Sequence, residues 1–285
     1  MKRQLLGVAA FMLALSAHAQ DNPLWMRYCA ISPDGTSIAF TYKGDIYTVP
    51  VNGGKAAQIT TNAAHDTHPV WSPDGKQIAF ASDRMGSMDI FVVDREGGIP
   101  KRLTTHSGNE TPVAFKDADH ILFLANVMPS AEDAQFPSGQ FQQVYEVSTT
   151  GDRPVMFSSM PMEDISINKT GNALLYHDKK GYEDPWRKHH TSSITRDIWL
   201  CSLDGKRSYR KLTSFNGEDR TPVWASDGKS FYYLSEEKGS FNVFKRALDG
   251  TTSTQLTHHT STRSVSLLLP TTAHSATDMM EKSIQ

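Results

Sequence analysis

The chain has 285 residues, 38% apolar and 21% charged, with a formal net charge of −2. That length allows one large or two small domains with a real core. The balanced charge excludes the basic excess of a nucleic-acid binder and the polybasic patch of a membrane-surface protein. Two cysteines, Cys29 and Cys201, exclude a disulfide-stapled scaffold and a cysteine-rich zinc module.

Lys2 and Arg3 precede an apolar run from Leu5 to Leu15, and Ala17-His18-Ala19 fits a small-x-small cleavage site. Residues 1–19 therefore read as a secretory signal peptide with Gln20 as the new N-terminus. The apolar run is short for a membrane span, and no later segment approaches eighteen consecutive apolar residues. No cysteine follows the run, so no lipid anchor is indicated. The expected location is outside the cytoplasm, in a bacterial periplasm. Cys29 and Cys201 could pair there, but each sits in a strand-like run and reads as an unpaired core residue.

From residue 20 to residue 260 the chain repeats itself. Ile31-Ser32-Pro33-Asp34-Gly35 followed by Ile38-Ala39-Phe40 returns as Trp71-Ser72-Pro73-Asp74-Gly75 with Ile78-Ala79-Phe80. It returns again as Trp224-Ala225-Ser226-Asp227-Gly228 with Phe231-Tyr232-Tyr233. Pro fixes φ and Gly accepts positive φ, so each motif is a tight turn between two strands. A third strand carries Asp45-Ile46-Tyr47, Asp89-Ile90-Phe91, Val144-Tyr145, Asp197-Ile198-Trp199 and Asn242-Val243-Phe244. A glycine turn follows, then a fourth strand ending in Ile59-Thr60, Leu103-Thr104, Leu212-Thr213 or Leu256-Thr257. Four short antiparallel strands per roughly forty residues is the signature of a propeller blade. The expected fold is all-β, with five legible blades starting near Trp25, His68, Thr111, Glu163 and Thr221. Helical periodicity is absent after residue 19.

A propeller must close into a ring, and the tail breaks the repeat. Residues 261–285 read as an aberrant or disordered extension. Codons for Met279-Met280-Glu281, read one base earlier, force Asp-Gly, and the neighbouring codons permit a copy of Asp45-Ile46-Tyr47-Thr48. The same frame permits an Asn-Asp-Gly-Thr turn across Pro270–His274 and a His-Pro-Val across Ser261–Ser264. A sixth blade lost to a frameshift is the expectation, and the chain then reads as a truncated part of a longer protein. Blade five would present an apolar face drawn from some of Val223, Phe231, Tyr233, Val243 and Phe244.

These repeats resemble the six-bladed propellers of TolB and of tricorn-type serine peptidases. The carriers are Trp71–Phe80, Ser82-Asp83-Arg84, Asp89-Ile90-Phe91 and Arg102-Leu103-Thr104. The layout, a signal peptide followed at once by Pro23-Leu24-Trp25-Met26-Arg27-Tyr28, looks like the start of a periplasmic tricorn homologue. TolB carries an α/β domain before its propeller, for which there is no room here. The tricorn resemblance implies a non-catalytic propeller that gates or docks peptides for a serine peptidase whose catalytic modules lie elsewhere. Implied partners are peptides or other domains of the parent peptidase, with room for a homo-oligomer of the full-length protein. Alternatives are a stand-alone TolB-like interaction propeller and the propeller of a prolyl-oligopeptidase-like hydrolase.

The residues themselves carry little chemistry. No Gly-x-Ser-x-Gly elbow, His-Glu-x-x-His or phosphate-binding loop occurs. The adjacent pairs His189-His190 and His258-His259 point to opposite strand faces, and His65 and His68 lack a carboxylate partner at ligand spacing. No catalytic residue, metal or cofactor is therefore expected. Asp83-Arg84 and Asp219-Arg220 read as polar turn contacts, worth little if exposed. The best binding candidate is the blade-four insert, where Tyr182, Trp186, Arg187, Lys188, His189 and His190 put aromatic and cationic groups on one loop. Arg and Lys suit a peptide carboxylate, and Trp suits side-chain packing. The competing reading is a loop that covers a neighbouring blade or docks another domain.

Overall fold

A computed structural model describes residues 26–126, 141–181 and 192–260. The expected signal peptide, the tail from residue 261 and the six insert residues from Tyr182 to His190 lie outside these. The described chain forms five four-stranded antiparallel sheets and no helix. Blade one is β1 (Arg27–Ile31), β2 (Ser37–Tyr42), β3 (Asp45–Pro50) and β4 (Ala57–Gln58). Blade two is β5 (Asp66–Trp71), β6 (Gln77–Ser82), β7 (Asp89–Asp94) and β8 (Lys101–Arg102). Blade three is β9 (Glu110–Phe115), β10 (His120–Ala125), β11 (Gln143–Ser148) and β12 (Val155–Ser158). Blade four is β13 (Met162–Ile167), β14 (Ala173–Asp178), β15 (Ile198–Ser202) and β16 (Tyr209–Lys211). Blade five is β17 (Asp219–Trp224), β18 (Ser230–Ser235), β19 (Asn242–Ala247) and β20 (Ser253–Gln255). Strands pair in sequence order within each blade. The first strands of successive blades contact one another, so they form the inner wall of a propeller.

The first turn of each blade follows from its sequence. Ser32 and Ser72 donate to Asp34 and Asp74 at 2.6 and 2.7 Å. The same carboxylates accept the backbone N–H of Thr36 and Lys76. Gly35 and Gly75 hold φ of 71° and 69°, a conformation costly for any residue with a Cβ. Trp71 donates from Nε1 to Ala30 O of blade one at 3.0 Å, and Trp224 donates to Ser166 O of blade four at 2.9 Å. The tryptophan thus ties the inner strand of one blade to that of the blade before.

Packing lies between blades. Phe80 and Phe91 stack at 5.9 Å in the cluster with Ala39, Ile46 and Ile59 of blade one. Phe123 and Tyr145 (5.7 Å) meet Ala79, Ile90 and Val92 of blade two. Tyr176, opposite Trp199 in the ladder, meets Leu122 and Val144 of blade three. Tyr233 and Phe244 (5.8 Å) meet Leu175 and Ile198 of blade four. Blade one has the same pair, Phe40 and Tyr47, at 5.8 Å. One aromatic pair across the second and third strands therefore marks the same face of every blade.

This register sorts the residues expected on the far face of blade five. Phe231, Tyr233 and Phe244 turn back toward blade four, while Val223 and Val243 lie on the far face with Ala225, Tyr232, Leu234 and Phe241. That second cluster is drawn from blade five alone. Cys29 and Cys201 are free thiols in blades one and four, and Cys201 is buried.

A hydroxyl staple closes four blades. Thr60, Thr104, Thr213 and Thr257 each accept through Oγ1 the first N–H inside the third strand, from Ile46, Ile90, Ile198 and Val243, at 2.9–3.0 Å. This is why an apolar-Thr pair ends the fourth strand so regularly.

Candidate functional site

Connections between second and third strands all emerge at one end of the ring, because every blade has the same order. They are residues 43–44 in blade one, 83–88 in blade two and 236–241 in blade five. In blades three and four they run from 126 to 142 and from 179 to 197. Two long connections thus start and end on adjacent blades at the same rim. The sequence reading singled out the second and missed the first, although the spacing from Leu124 to Val144 already signals it.

The feet of the blade-four connection are rigid. The chain leaves at Gly181 and returns at Ser192. A Cβ on Gly181 would stand 3.1 Å from Ile194 Cγ2, so the two limbs approach closely enough that a larger residue would have to push the Ile194 side chain aside. Lys180 Nζ donates to Thr195 O at 2.6 Å and also contacts Asp197. Asp178 accepts the N–H of Asp197 at 2.8 Å and the indole N–H of Trp199 at 3.0 Å. Arg196 donates to Glu218 of blade five at 3.1 Å. The candidate residues Tyr182, Trp186, Arg187, Lys188, His189 and His190 lie between these feet, outside the described residues.

Beside the feet, the inner strands are kinked. Each pairs with its neighbour across a register shift, and four of the shifts hold a non-glycine residue at positive φ: Tyr28 (52°), His68 (54°), Asp164 (49°) and Thr221 (53°). Such a conformation costs a β-branched or bulky residue about 1–2 kcal/mol. The four residues contact one another in pairs across blade boundaries. Tyr28 and His68 stack with centroids 3.6 Å apart, and Thr221 Oγ1 donates to Asp164 Oδ2 at 2.7 Å. Burial, with the charge of His65, pushes the His68 imidazole down to about 4, so it is neutral at pH 7.

His177 stands behind Asp164 and is buried. The Thr221 N–H donates to its Nδ1 at 3.3 Å, which leaves Nε2 as the donor to Glu163 at 3.2 Å. Lys179 Nζ donates to the other oxygen of Glu163 at 2.7 Å. Burial would raise the Glu163 carboxyl, but the bonds from His177 and Lys179 outweigh it and hold the group well below the usual range. Both imidazole nitrogens are thus engaged, and no hydroxyl or thiol is bonded to His177 as a nucleophile would be. Among the described residues, no three His, Cys, Asp or Glu side chains converge as a metal site would require. What this rim offers is contact chemistry: a half-exposed carboxylate at Asp164 and a neutral ring pair at Tyr28 and His68.

Asp83-Arg84, read in the sequence as a polar turn contact worth little if exposed, is more than that. Arg84 reaches back to Asp66, donating from Nη2 to both carboxylate oxygens at 2.9 and 3.0 Å, with the Asp66 side chain 0% exposed. Asp219 is also buried, beside the hydroxyls of Thr213 and Ser235.

Residues 23–269 match the family model described as the tricorn protease N-terminal beta propeller domain. The chain is 25% identical over 228 residues to "Tricorn protease homolog 1" of Streptomyces coelicolor, covering 80% of this chain and 20% of that protein. Among solved structures, it superposes on tricorn protease with a TM-score of 0.62 at 20% identity, covering 83% of this chain and 23% of that one. It superposes on TolB from Acinetobacter baumannii with a TM-score of 0.57 at 18% identity, covering 80% and 53%. The chain therefore spans about a fifth of the length of its tricorn relatives, and the two superpositions speak for the fold alone.

Proposed function

The chain belongs to the tricorn protease N-terminal beta propeller family, and we propose that it is the non-catalytic propeller region of a secreted tricorn-like serine peptidase, where it docks or gates peptide substrates. The observation that carries this reading is that two long connections start and end on adjacent blades at one rim, with the blade-four feet pinned by Lys180, Asp178 and Arg196. Loops held on a rigid scaffold are where recognition residues concentrate. In this reading Arg187 and Lys188 pair with peptide carboxylates, and Tyr182 and Trp186 pack on side chains. Export through residues 1–19 belongs to the same proposal, as does a sixth blade encoded in the neighbouring frame beyond residue 260.

Fluorescence anisotropy with a labelled mixed peptide library tests the docking role. The mature chain should bind, and a variant with residues 182–190 replaced by a short Gly-Ser link should not. Equal binding by both chains, or none by either, refutes it. Genomic sequence through the region encoding Ser261 and beyond tests the missing blade and separates a peptidase parent from a stand-alone propeller.

A further inference from the structure

Three of the four boundaries between the described blades repeat one arrangement. The third strand of a blade begins with, or is preceded by, a polar residue, its staple threonine follows the fourth strand, and six residues later the next inner strand starts. At all three, two carboxyls lie close enough for the charge of one to act on the other: Asp45 with Asp66, Asp89 with Glu110, and Asp197 with Asp219. Asp66, Asp89, Glu110, Asp197 and Asp219 are all buried, at 0–3% exposure. Two buried carboxylates side by side cannot both stay ionised without compensation.

The three boundaries solve this differently. Between blades one and two, Arg84 takes both oxygens of Asp66. Between blades two and three, Arg102 Nη2 stands 2.7 Å from Asp89 Oδ2, yet neither Asp89 oxygen makes a well-formed hydrogen bond. Thr104 donates to Glu110, and His106 is the remaining titratable neighbour. Between blades four and five, Lys180 and Lys211 contact one oxygen of Asp197, while Asp197 Oδ1 and Asp219 Oδ1 are both buried and unpartnered. Asp219 also faces Thr213, Ser235 and Glu237, and its neighbour Glu218 is paired with Arg196. The boundary of blades three and four lacks the pair: Gln143 stands at the acid position of blade three, and Met162 opens the next inner strand. In blade five Asn242 stands at that position, satisfied by Thr257 and the N–H of His259.

We propose that the carboxyl pairs Asp89–Glu110 and Asp197–Asp219 each hold one proton between them and act as latches on their blade boundaries, closed when protonated and loosened when that proton is lost to solvent. The orphaned acceptors are the atoms such a proton serves, and among the described residues no three ligating groups converge to put a metal ion in its place. Burial is the largest cause raising Glu110 and Asp219, each to about 7, with the partner aspartate adding to it. The sign follows. A carboxyl whose folded value is raised binds more protons folded than open, so the boundary is tightest below about pH 4–5 and loosens as pH rises toward 7. Above that the effect levels off.

Amide hydrogen exchange on the full chain, corrected for the intrinsic pH dependence of exchange, tests this. Opening of Glu110–Phe115 and of Asp219–Trp224 should rise up to about tenfold per pH unit between pH 5 and 7, and Asp66–Trp71, latched by Arg84, should change little. Glu110→Gln and Asp219→Asn should each flatten the profile at their own boundary. The same pH dependence at all three boundaries, or its survival in both variants, overturns the proposal. Should a variant fail to fold, infrared spectroscopy of the wild-type chain decides. A protonated-carboxyl band present at pH 6 and lost by pH 8 supports the latch, and absence of that band at pH 6 sinks it.

Discussion

Replacing Arg84 with methionine keeps most of the aliphatic bulk and removes the only cation bonded to Asp66 among the described residues. The Asp66 side chain is fully buried and Arg84 is 13% exposed, so this ion pair has left water almost completely. Breaking such a pair from one side costs about 3–5 kcal/mol, because the remaining charge stays buried without compensation. The guanidinium also lies 4.6 Å from the Phe91 ring centre, which adds up to about 1 kcal/mol. At about 2–4 °C per kcal/mol for a chain of this size, the melting temperature should fall by roughly 10 °C. Adding Asp66→Asn removes the stranded charge, so the double variant should recover at least half of the loss. Calorimetry of the wild type, Arg84→Met, Asp66→Asn and the double variant at pH 7 and pH 5 gives the full cycle. An Arg84→Met loss under about 1 kcal/mol, or a double variant no better than the single, would show that the Arg84–Asp66 contact does not hold the inner strand of blade two to its β6–β7 connection.

Thr213→Val should cost about 1–3 kcal/mol, because it leaves the Ile198 N–H buried without its 2.9 Å acceptor; urea titration against Thr213→Ser, which keeps the acceptor, separates the hydrogen bond from packing. Phe123→Ala should cost about 3–5 kcal/mol, since Phe123 is 0% exposed in the cluster joining blades two and three. Its effect should appear in amide exchange at that boundary before the boundary of blades four and five responds.

Much of the architecture is legible because it is local. The Ser-Pro-Asp-Gly turn contains its own hydrogen bonds, from Ser32 to Asp34 and from Ser72 to Asp74, and so announces itself in a short window. The third strand is legible from Asp-Ile-Tyr and its kin, because its alternation serves both faces of a buried sheet. The kinks at Tyr28, His68, Asp164 and Thr221 are not legible, because their cost is balanced by a contact from another blade. Arg84 looked like half of a turn pair because Asp83 is its neighbour in sequence, whereas its partner Asp66 comes from the inner strand of the same sheet. The facing of Phe231, Tyr233 and Phe244 depends on register parity, which the aromatic pairs of the earlier blades could have fixed. The carboxyl pairs leave a faint trace, an acid six residues after the staple threonine in Thr60/Asp66, Thr104/Glu110 and Thr213/Asp219.

Because every described strand pairs with its neighbour in sequence, each blade can complete its ladder before the next has left the ribosome. Short loops make pairing fast, and the slow part of folding should be the docking of finished blades. Docking carries its own hazard, since the same aromatic pair marks the same face of all five sheets and a blade could settle on the wrong partner. The boundaries differ in polar content: arginine on an aspartate, two acid pairs, and a glutamine with no acid to face it. A mismatched blade would bury a carboxylate against a group that cannot serve it, so these differences proofread the order in which a repetitive chain assembles.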